Sequence, residues 1–504
     1  MASDRAGAAK RLTETAMAGR LQPSPIAIAV HQGFSVRYML QTDILPRLLS
    51  RGEAVVIIAP AHECDYVRAV VPANVSVVAA PAPPPPGRFQ RYLRTMRHVL
   101  HAEHVSTAEE IYGRLLRAAP TGRNRLMLRA LYRLARTLAL ARPLRQAVPR
   151  VEAALEDGAA FRDLLQTIAP KLVVVTSTGT FGYDAQILRA TRALGLPVTT
   201  VILSWDNTSS TGYPAGFGDH VVAWTETMKQ ELVRFLDYRP EQVVVRGVAH
   251  FDAYHRPDAG YDRAALLQKL GLDPGRRTIV LATKSPNSYL CNPFVAERLA
   301  VAIADGTLPD AQLVIRVHPI HYRRDRQGAL TYAPVLDAYR RIARGHPHVA
   351  VSEPLVAGES RGHVMADDEM LALSRLMRAA DVLVNMFSTM NIEGALLDKP
   401  LVNVCFELSD EAPAWARHKE RYDIRSDAAE HHNMRIIDSG GTRIAYSPQE
   451  LIEHVGAYLA DPSLDADGRR AIAGREGGPF QGCAGRAIAD YIIHSALPAE
   501  RRFV

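Results

Sequence analysis

Short apolar runs recur along the chain at strand length, each followed by a turn and a stretch of helical periodicity. IAIAV (26–30) reads as a buried strand, Tyr38–Leu49 as a helix that Arg51-Gly52 breaks, and AVVIIAP (54–60) as a second strand. Strand, helix, strand at this spacing predicts a βαβ unit and a parallel sheet. VSVVAAP (75–81) adds a third strand, which the prolines at 83–86 stop. An Arg-rich helical stretch intervenes. The pattern resumes with LVVVTS (172–177), a helix near Tyr183–Leu194, VTTVILS (198–204), HVVAWT (220–225), a helix over Glu226–Leu236, and VVVRG (243–247).

The alternation pauses across the polar stretch His250–Tyr261 and then starts again. TIVLAT (278–283), QLVIRVHP (312–319), VAVSEP (349–354), DVLVNM (381–386) and LVNVCF (401–406) read as strands. Helices are expected near Pro293–Ala304, Pro334–Arg344 and Asp368–Ala379, with another opening at Ser388. Two consecutive Rossmann-like α/β domains are the economical account. The expected division is a tail at 1–24, a first domain at 25–249 with an Arg-rich helical insert at 88–150, and a linker at 250–276. A second domain at 277–482 and a closing helix and tail at 483–504 complete it.

Composition narrows the class. The 504 residues are 47% hydrophobic and 22% charged, which suits two or three folded domains and excludes a disordered or collagen-like chain. No apolar run reaches the roughly 18 residues of a membrane span. The N-terminal stretch MASDRAGAAKRLTETAMAGR has no apolar secretory core, so a cytoplasmic protein is expected. Cys64, Cys291, Cys405 and Cys483 fit neither metal-ligand nor disulfide spacing and are expected as reduced thiols.

The formal charge of +7 is uneven: between Arg88 and Arg150 stand 14 Arg and three acids, or +11, which leaves −4 for the rest. Arg125, Arg129, Arg133 and Arg136 recur at helical spacing beside an apolar face of Leu126, Leu128, Leu131, Leu134 and Leu138. Upstream, Arg88, Arg91, Arg94 and Arg97 repeat every three residues. Such helices suit an anionic membrane interface or a lipid-phosphate acceptor. They equally suit an amphipathic layer packed on the first domain with its Arg in solvent. Nucleic acid is not expected, because aromatics are not interleaved as a stacking surface needs.

Open parallel sheets bind ligands beyond the carboxyl ends of their strands, so the residues just after each strand carry the chemistry. After the first strand come His31, Gly33, Arg37 and Asp43; Gly33 allows close approach and His31 is a possible base. After VTTVILS come Trp205, Asp206 and Asn207. Asp206 could serve as general base on an acceptor hydroxyl, or simply cap the turn. Lys284 and Ser285 follow TIVLAT, where a cation and hydroxyls suit a phosphate, although an ordinary polar loop looks the same. Arg316 and His318 share one side of the strand end, fit for a diphosphate, or for an Arg–acid pair and a capping His. After DVLVNM, Ser388, Thr389 and Asn391 open a helix that would attract an anion, and Glu393 lies one turn further in. No DxD motif suits a metal: Asp465-Ala466-Asp467 looks loop-like, and Asp367-Asp368 looks like a helix cap.

The ordered set SWDNTSSTG, GVAHFDAY, RVHP and FSTMNIEGALLDKPLVNV resembles the GT-B superfamily of nucleotide-sugar glycosyltransferases, especially bacterial surface-carbohydrate enzymes. It is also similar to CDP-glycerol glycerophosphotransferases and, in the linker, to UDP-N-acetylglucosamine 2-epimerases. The resemblance covers about residues 170–410 and leaves the Arg-rich insert unmatched. It implies that Arg316, His318, Ser388 and Thr389 contact a donor diphosphate, with Lys284, Ser285 and Asn391 beside them, and that Glu393 binds the ribose. From their places after the strands, Gly33, Arg37, Asp43, Trp205 and Asn207 are expected as acceptor contacts, and Asp206, His31 or His318 as the base. In the glycerophosphotransferases a His follows the cleft Trp; here Asp206 stands there. The expected activity is metal-independent, cofactor-free sugar transfer from a nucleotide-sugar to a surface polysaccharide or lipid-linked glycan, peripheral at the inner membrane face. Polyol-phosphate transfer, UDP-sugar epimerisation and a non-catalytic GT-B protein are the alternatives.

Overall fold

The computed structural model describes residues 24–496 except 32, 83–84, 157, 181, 326, 356–367 and 408–422. The expected tails, apart from residue 24 and the helix to 496, and Asp367 lie outside the described residues. β1 (Ile26–Ala29), β2 (Val55–Pro60), β3 (Ser76–Ala80), β4 (Leu172–Val175), β5 (Val198–Val201), β6 (His220–Ala223) and β7 (Val243–Val245) form one parallel sheet. Their order is β3-β2-β1-β4-β5-β6-β7. β8 (Arg277–Ala282), β9 (Ala311–Arg316), β10 (Val349–Ser352), β11 (Val382–Asn385), β12 (Leu401–Val404) and β13 (Arg443–Ala445) form the second, ordered β10-β9-β8-β11-β12-β13. Both are doubly wound Rossmann-like sheets. Helices cover both faces, which is why β1, β4 and β11 are buried at every position and read as continuous apolar runs.

Several boundaries differ from the sequence pattern for identifiable reasons. The helix expected over Tyr38–Leu49 is two, Gly33–Leu40 and Ile44–Ser50. A continuous helix would drive the Pro46 ring into the Thr42 carbonyl. The Asp465–Asp467 stretch, expected as loop, starts the helix Ala466–Glu476, and Asp465 accepts from Tyr458 Oη at 2.7 Å and Arg443 Nε at 2.9 Å.

The closing helix Ala484–Ser495 crosses back onto the first sheet's lobe. Arg47 holds Asp490 through two bonds at 2.9 and 3.0 Å, Ser495 Oγ meets Thr199 Oγ1 at 2.9 Å, and Asp252 accepts both Ala484 N and Gly485 N at 2.9 Å. The crossing is tight at Gly247, φ +80°, where a Cβ would stand 2.1 Å from the Pro479 carbonyl oxygen.

The insert is helical: Arg88–His98, Ser106–Ala118, Gly122–Ala139 and Arg142–Ala154 pack around Leu93, Met96, Leu100, Ala135 and Val148. Its first Arg row does not stay on one face, because steps of three residues drift by about 60° each around a helix. Arg94 and Arg97 turn inward onto Glu152, with Arg97 Nε at 3.0 Å and Arg94 Nε at 3.3 Å. Arg145 is held by Asp237 at 2.6 and 2.7 Å, and Arg114 pairs with Glu430 of the second lobe. Among the described residues no helix is long and apolar enough to cross a membrane.

Candidate functional site

Each sheet reverses its strand order once, between β1 and β4 in the first and between β8 and β11 in the second. The flanking helices diverge at such a point and leave a crevice for ligands. In the first lobe, His31 follows β1 and Thr176 follows β4. His31 Nδ1 lies 3.2 Å from Thr176 Oγ1 and 3.9 Å from Asp184 Oδ2. Asp184 opens the helix Asp184–Leu194 and is fully buried. Its Oδ2 also accepts from Ser177 Oγ at 2.8 Å and Thr176 N at 3.3 Å. Burial raises the Asp184 pKa, against the pull of His31 and Ser177. The carboxylate stands beyond hydrogen-bond reach of Nδ1 and acts on the ring through its charge, while the Thr176 hydroxyl is within bonding distance of Nδ1.

Backbone packing holds this pair in place. Tyr183 Oη donates to Val30 O at 2.5 Å and Ile58 O at 3.0 Å, which pins the β4 loop to the ends of β1 and β2. Gly182, φ +50°, lies against the imidazole, and a Cβ there would stand 2.7 Å from His31 Cβ. The sequence reading missed Asp184, since an acid in a helix's first turn looks like a dipole partner. Its place just after the strand beside His31's strand was the signal that could have found it.

In the second lobe the corresponding cation is Lys284. Its Nζ donates to Met386 O at 3.0 Å and Asp427 Oδ2 at 2.6 Å, with Phe387 O at 3.5 Å, so it bridges the ends of β8 and β11. The Ser285 carbonyl accepts Ser288 N and Tyr289 N, both at 3.0 Å, in a tight turn. Arg316 is buried and donates to Glu369, to Ser352 Oγ at 3.2 Å and to Glu353 O at 3.2 Å. Burial pushes its pKa down to about 10. Contact with a donor phosphate through the Glu369-bound nitrogen requires that pair to open. His318 Nδ1 accepts Ile320 N at 3.2 Å and caps the turn Pro319–Tyr322.

Ser388 Oγ accepts Met390 N at 3.3 Å, and Thr389 is the N-cap of Met390–Leu396 without a side-chain cap bond. Asn391 requires correction as a donor contact. It is fully buried, with Oδ1 accepting Asn385 Nδ2 and Asn403 Nδ2 and Nδ2 donating to Asn403 Oδ1, each at 3.0 Å. Its amide ties β11 and β12 to the helix. Asp43 is likewise corrected as an acceptor contact: Arg256 Nη2 at 2.6 Å and Arg486 Nε at 2.9 Å occupy its carboxylate. Burial alone would raise the Asp43 pKa, but these guanidinium groups lower it.

Asp206 sits in a local clasp, accepting from Ser204 Oγ on one oxygen and Ser210 Oγ on the other at 2.6 Å. Asn207 Oδ1 accepts Ser204 N at 3.2 Å in the same turn. Trp205 is buried edge-on against His432 of the second lobe at 4.9 Å, so this loop is a dock between lobes. Gly33 is buried at the start of its helix. Arg37 of that helix lies over the Phe34 ring at 4.9 Å, and burial lowers its pKa against the pull of the Glu393 charge. Tyr254 Oη donates to Glu393, and Arg316 feels the like charge of Arg37. Arg37, Arg316 and Glu393, expected from the sequence, therefore act on one another electrostatically across the two lobes, and Tyr254, which was not expected, is bonded to Glu393.

No protein-family model matches the sequence, and no curated protein matches it. Solved structures do match. The MnaA–UDP complex of S. aureus superposes with TM-score 0.53 at 12% identity, covering 94% of this chain and 96% of that one. The UDP-GlcNAc 2-epimerase of Neisseria meningitidis bound to UDP-GlcNAc gives 0.51 at 13%, covering 93% and 99%. The fold is GT-B. A glycosyltransferase from Rickettsia africae ESF-5 matches at TM-score 0.46 and 11% identity, covering 94% and 99%.

The two GT-B lobes are joined through buried Glu231. It accepts from Thr208, from Arg435 and, at 3.0 Å, from His431 Nε2. Ser209 Oγ meets His432 Nδ1 at 3.0 Å beside it. Among the described residues no three His, Cys, Asp or Glu side chains are grouped to hold a metal ion.

Proposed function

We propose that this GT-B protein is a glycosyltransferase that moves a sugar from a nucleotide-sugar to a hydroxyl acceptor, with His31 as general base and Asp184 orienting it. The observation that carries this reading is the His31–Asp184–Thr176 arrangement at the first sheet's reversal point, 3.9 and 3.2 Å from Nδ1. His31 Nε2 takes the acceptor proton as the hydroxyl oxygen attacks the sugar's anomeric carbon. The bond to the nucleoside diphosphate breaks in the same event. Arg37 meets the growing negative charge, and Arg316 joins it from the other lobe once its pair with Glu369 opens, without a metal ion. Proton transfer by such a base contributes about 10²- to 10⁴-fold to rate.

The acceptor is a surface glycan or a lipid-linked glycan, and the insert's exposed cationic face turns this protein toward an anionic membrane surface. Exposed Arg125, Arg129 and Arg133 on one helix support that orientation. UDP-sugars are the first donors to test, followed by GDP- and CDP-activated ones. The assay is release of nucleoside diphosphate with and without a candidate acceptor, in wild type and His31→Gln. Acceptor-dependent release that His31→Gln abolishes supports the reading. Conversion of UDP-GlcNAc to its 2-epimer without acceptor, or release unaffected by His31→Gln, overturns it.

A further inference from the structure

The insert's Arg residues fall into two sets. Those facing inward are neutralised by Glu152, Glu156, Asp237 and Glu430. The outward set has no such partners: among the described residues Arg88, Arg91, Arg123, Arg125, Arg129 and Arg133 make no ion pair. Between the helices Arg88–His98 and Gly122–Ala139 lies a cavity of about 330 Å³, lined by Arg88, Arg91, Tyr92, Asn124, Met127 and Leu128 among others. No carboxylate lines it. Two guanidinium groups and an amide at its wall match phosphate oxygens, and Met127 and Leu128 supply apolar contact for the carbon chain behind a phosphodiester.

The surface beside the cavity is apolar in a regular way. Leu126 is 68% exposed and Leu134 46%, two turns apart on one helix row, and Leu140 beyond them is 84% exposed. Phe89, next to Arg88, is 57% exposed. A contiguous apolar row flanked by guanidinium groups is the pattern of a helix lying in a lipid interface. We propose that the phosphate headgroup of an anionic phospholipid seats in this cavity while the Leu126–Leu134 row enters the acyl boundary. The inference deepens the membrane-facing reading above and rests on it. It names the headgroup pocket that makes the contact specific.

The test sediments the full chain with vesicles of phosphatidylcholine alone or with about a third phosphatidylglycerol. Wild type partitions onto the phosphatidylglycerol vesicles. Arg88→Gln/Arg91→Gln lowers that partition by about 25-fold, near fivefold for each cation removed at the surface. Dihexanoyl phosphatidylglycerol, monomeric in solution, binds wild type at least tenfold more tightly than inorganic phosphate does and does not bind the double variant. Met127→Asp, which places a carboxylate at the cavity wall, gives the same loss and stands in if the double variant melts early.

Equal wild-type binding to neutral vesicles, or none to either, overturns both the pocket and the membrane-facing reading. Vesicle binding that survives Arg88→Gln/Arg91→Gln overturns the pocket alone. Inorganic phosphate binding as tightly as the short-chain lipid makes it a free-anion site and also overturns the proposal. Binding to single-stranded RNA without vesicle binding does the same.

Discussion

The two sheets reverse direction in the same way, yet the groups at their reversal points behave differently. In the first lobe, His31 and Asp184 face each other from adjacent loops, 3.9 Å apart. In the second, Lys284 reaches across to Met386 O and Asp427 and holds two strand ends together. Arg316, one strand further out, is closed onto Glu369 in the same manner. Equivalent topology therefore gives an acid–base pair on one side and a set of internal struts on the other.

Removing the base tests that contrast most severely. His31→Gln lowers turnover by about 10²- to 10⁴-fold, read as nucleoside diphosphate release at a temperature where the variant is folded. Asp184→Asn gives a smaller loss, because it removes the charge beside the imidazole and leaves the ring in place. Lys284→Met instead lowers the melting midpoint. A Lys284→Met protein that melts like wild type but has lost more turnover than His31→Gln would reverse the assignment of the two lobes.

Arg316 sharpens the second-lobe side. Arg316→Ala leaves the Glu369 carboxylate buried, at 1% exposure, without its cation. Breaking such a pair from one side costs about 3–5 kcal/mol, measurable as a lower urea midpoint. Arg316→Met/Glu369→Leu removes both charges and recovers most of that loss. Donor KM for Arg316→Lys, measured in the folded protein, reports separately on any phosphate contact.

Glu231 extends the comparison to the seam between lobes. Burial alone would raise its pKa, but His431 and Arg435 bring it below the ordinary glutamate value. Stability from this carboxylate is therefore complete above the unfolded value of about 4.3 and is lost as pH falls through the lower folded value. The melting midpoint drops between about pH 5 and pH 3. Glu231→Gln flattens that slope and costs about 1–3 kcal/mol at neutral pH by weakening buried charged bonds.

The strands were legible because sheets covered on both faces need apolar side chains at successive positions, as in Leu172–Val175 and residues 382–384. The struts were not. Arg316 reads as an open cation until Glu369, 53 residues away, is placed beside it as its resting partner, and Arg97 meets Glu152 across 55. A strand end shows which cation is present and not which distant acid closes on it. The insert carried the same ambiguity at shorter range. Arg125, Arg129 and Arg133, in steps of four, hold one exposed face, whereas the three-residue row from Arg88 to Arg97 divides between cavity and core.

Asp206 gives the smallest expected effect and decides between the two acid–base candidates of the first lobe. Its carboxylate accepts from Ser204 and Ser210, both within its own loop, and the Trp205 ring beside it is buried against His432. Asp206→Asn keeps an acceptor oxygen and the turn but removes the charge. The expected cost is about 1 kcal/mol of stability and less than a tenfold change in turnover. The pH profile of kcat/KM keeps its shape in Asp206→Asn and changes shape in Asp184→Asn, since only the latter contacts the imidazole. A loss in Asp206→Asn as large as that in His31→Gln, with the melting midpoint intact, would move the base from the β1 loop to the Trp205 loop.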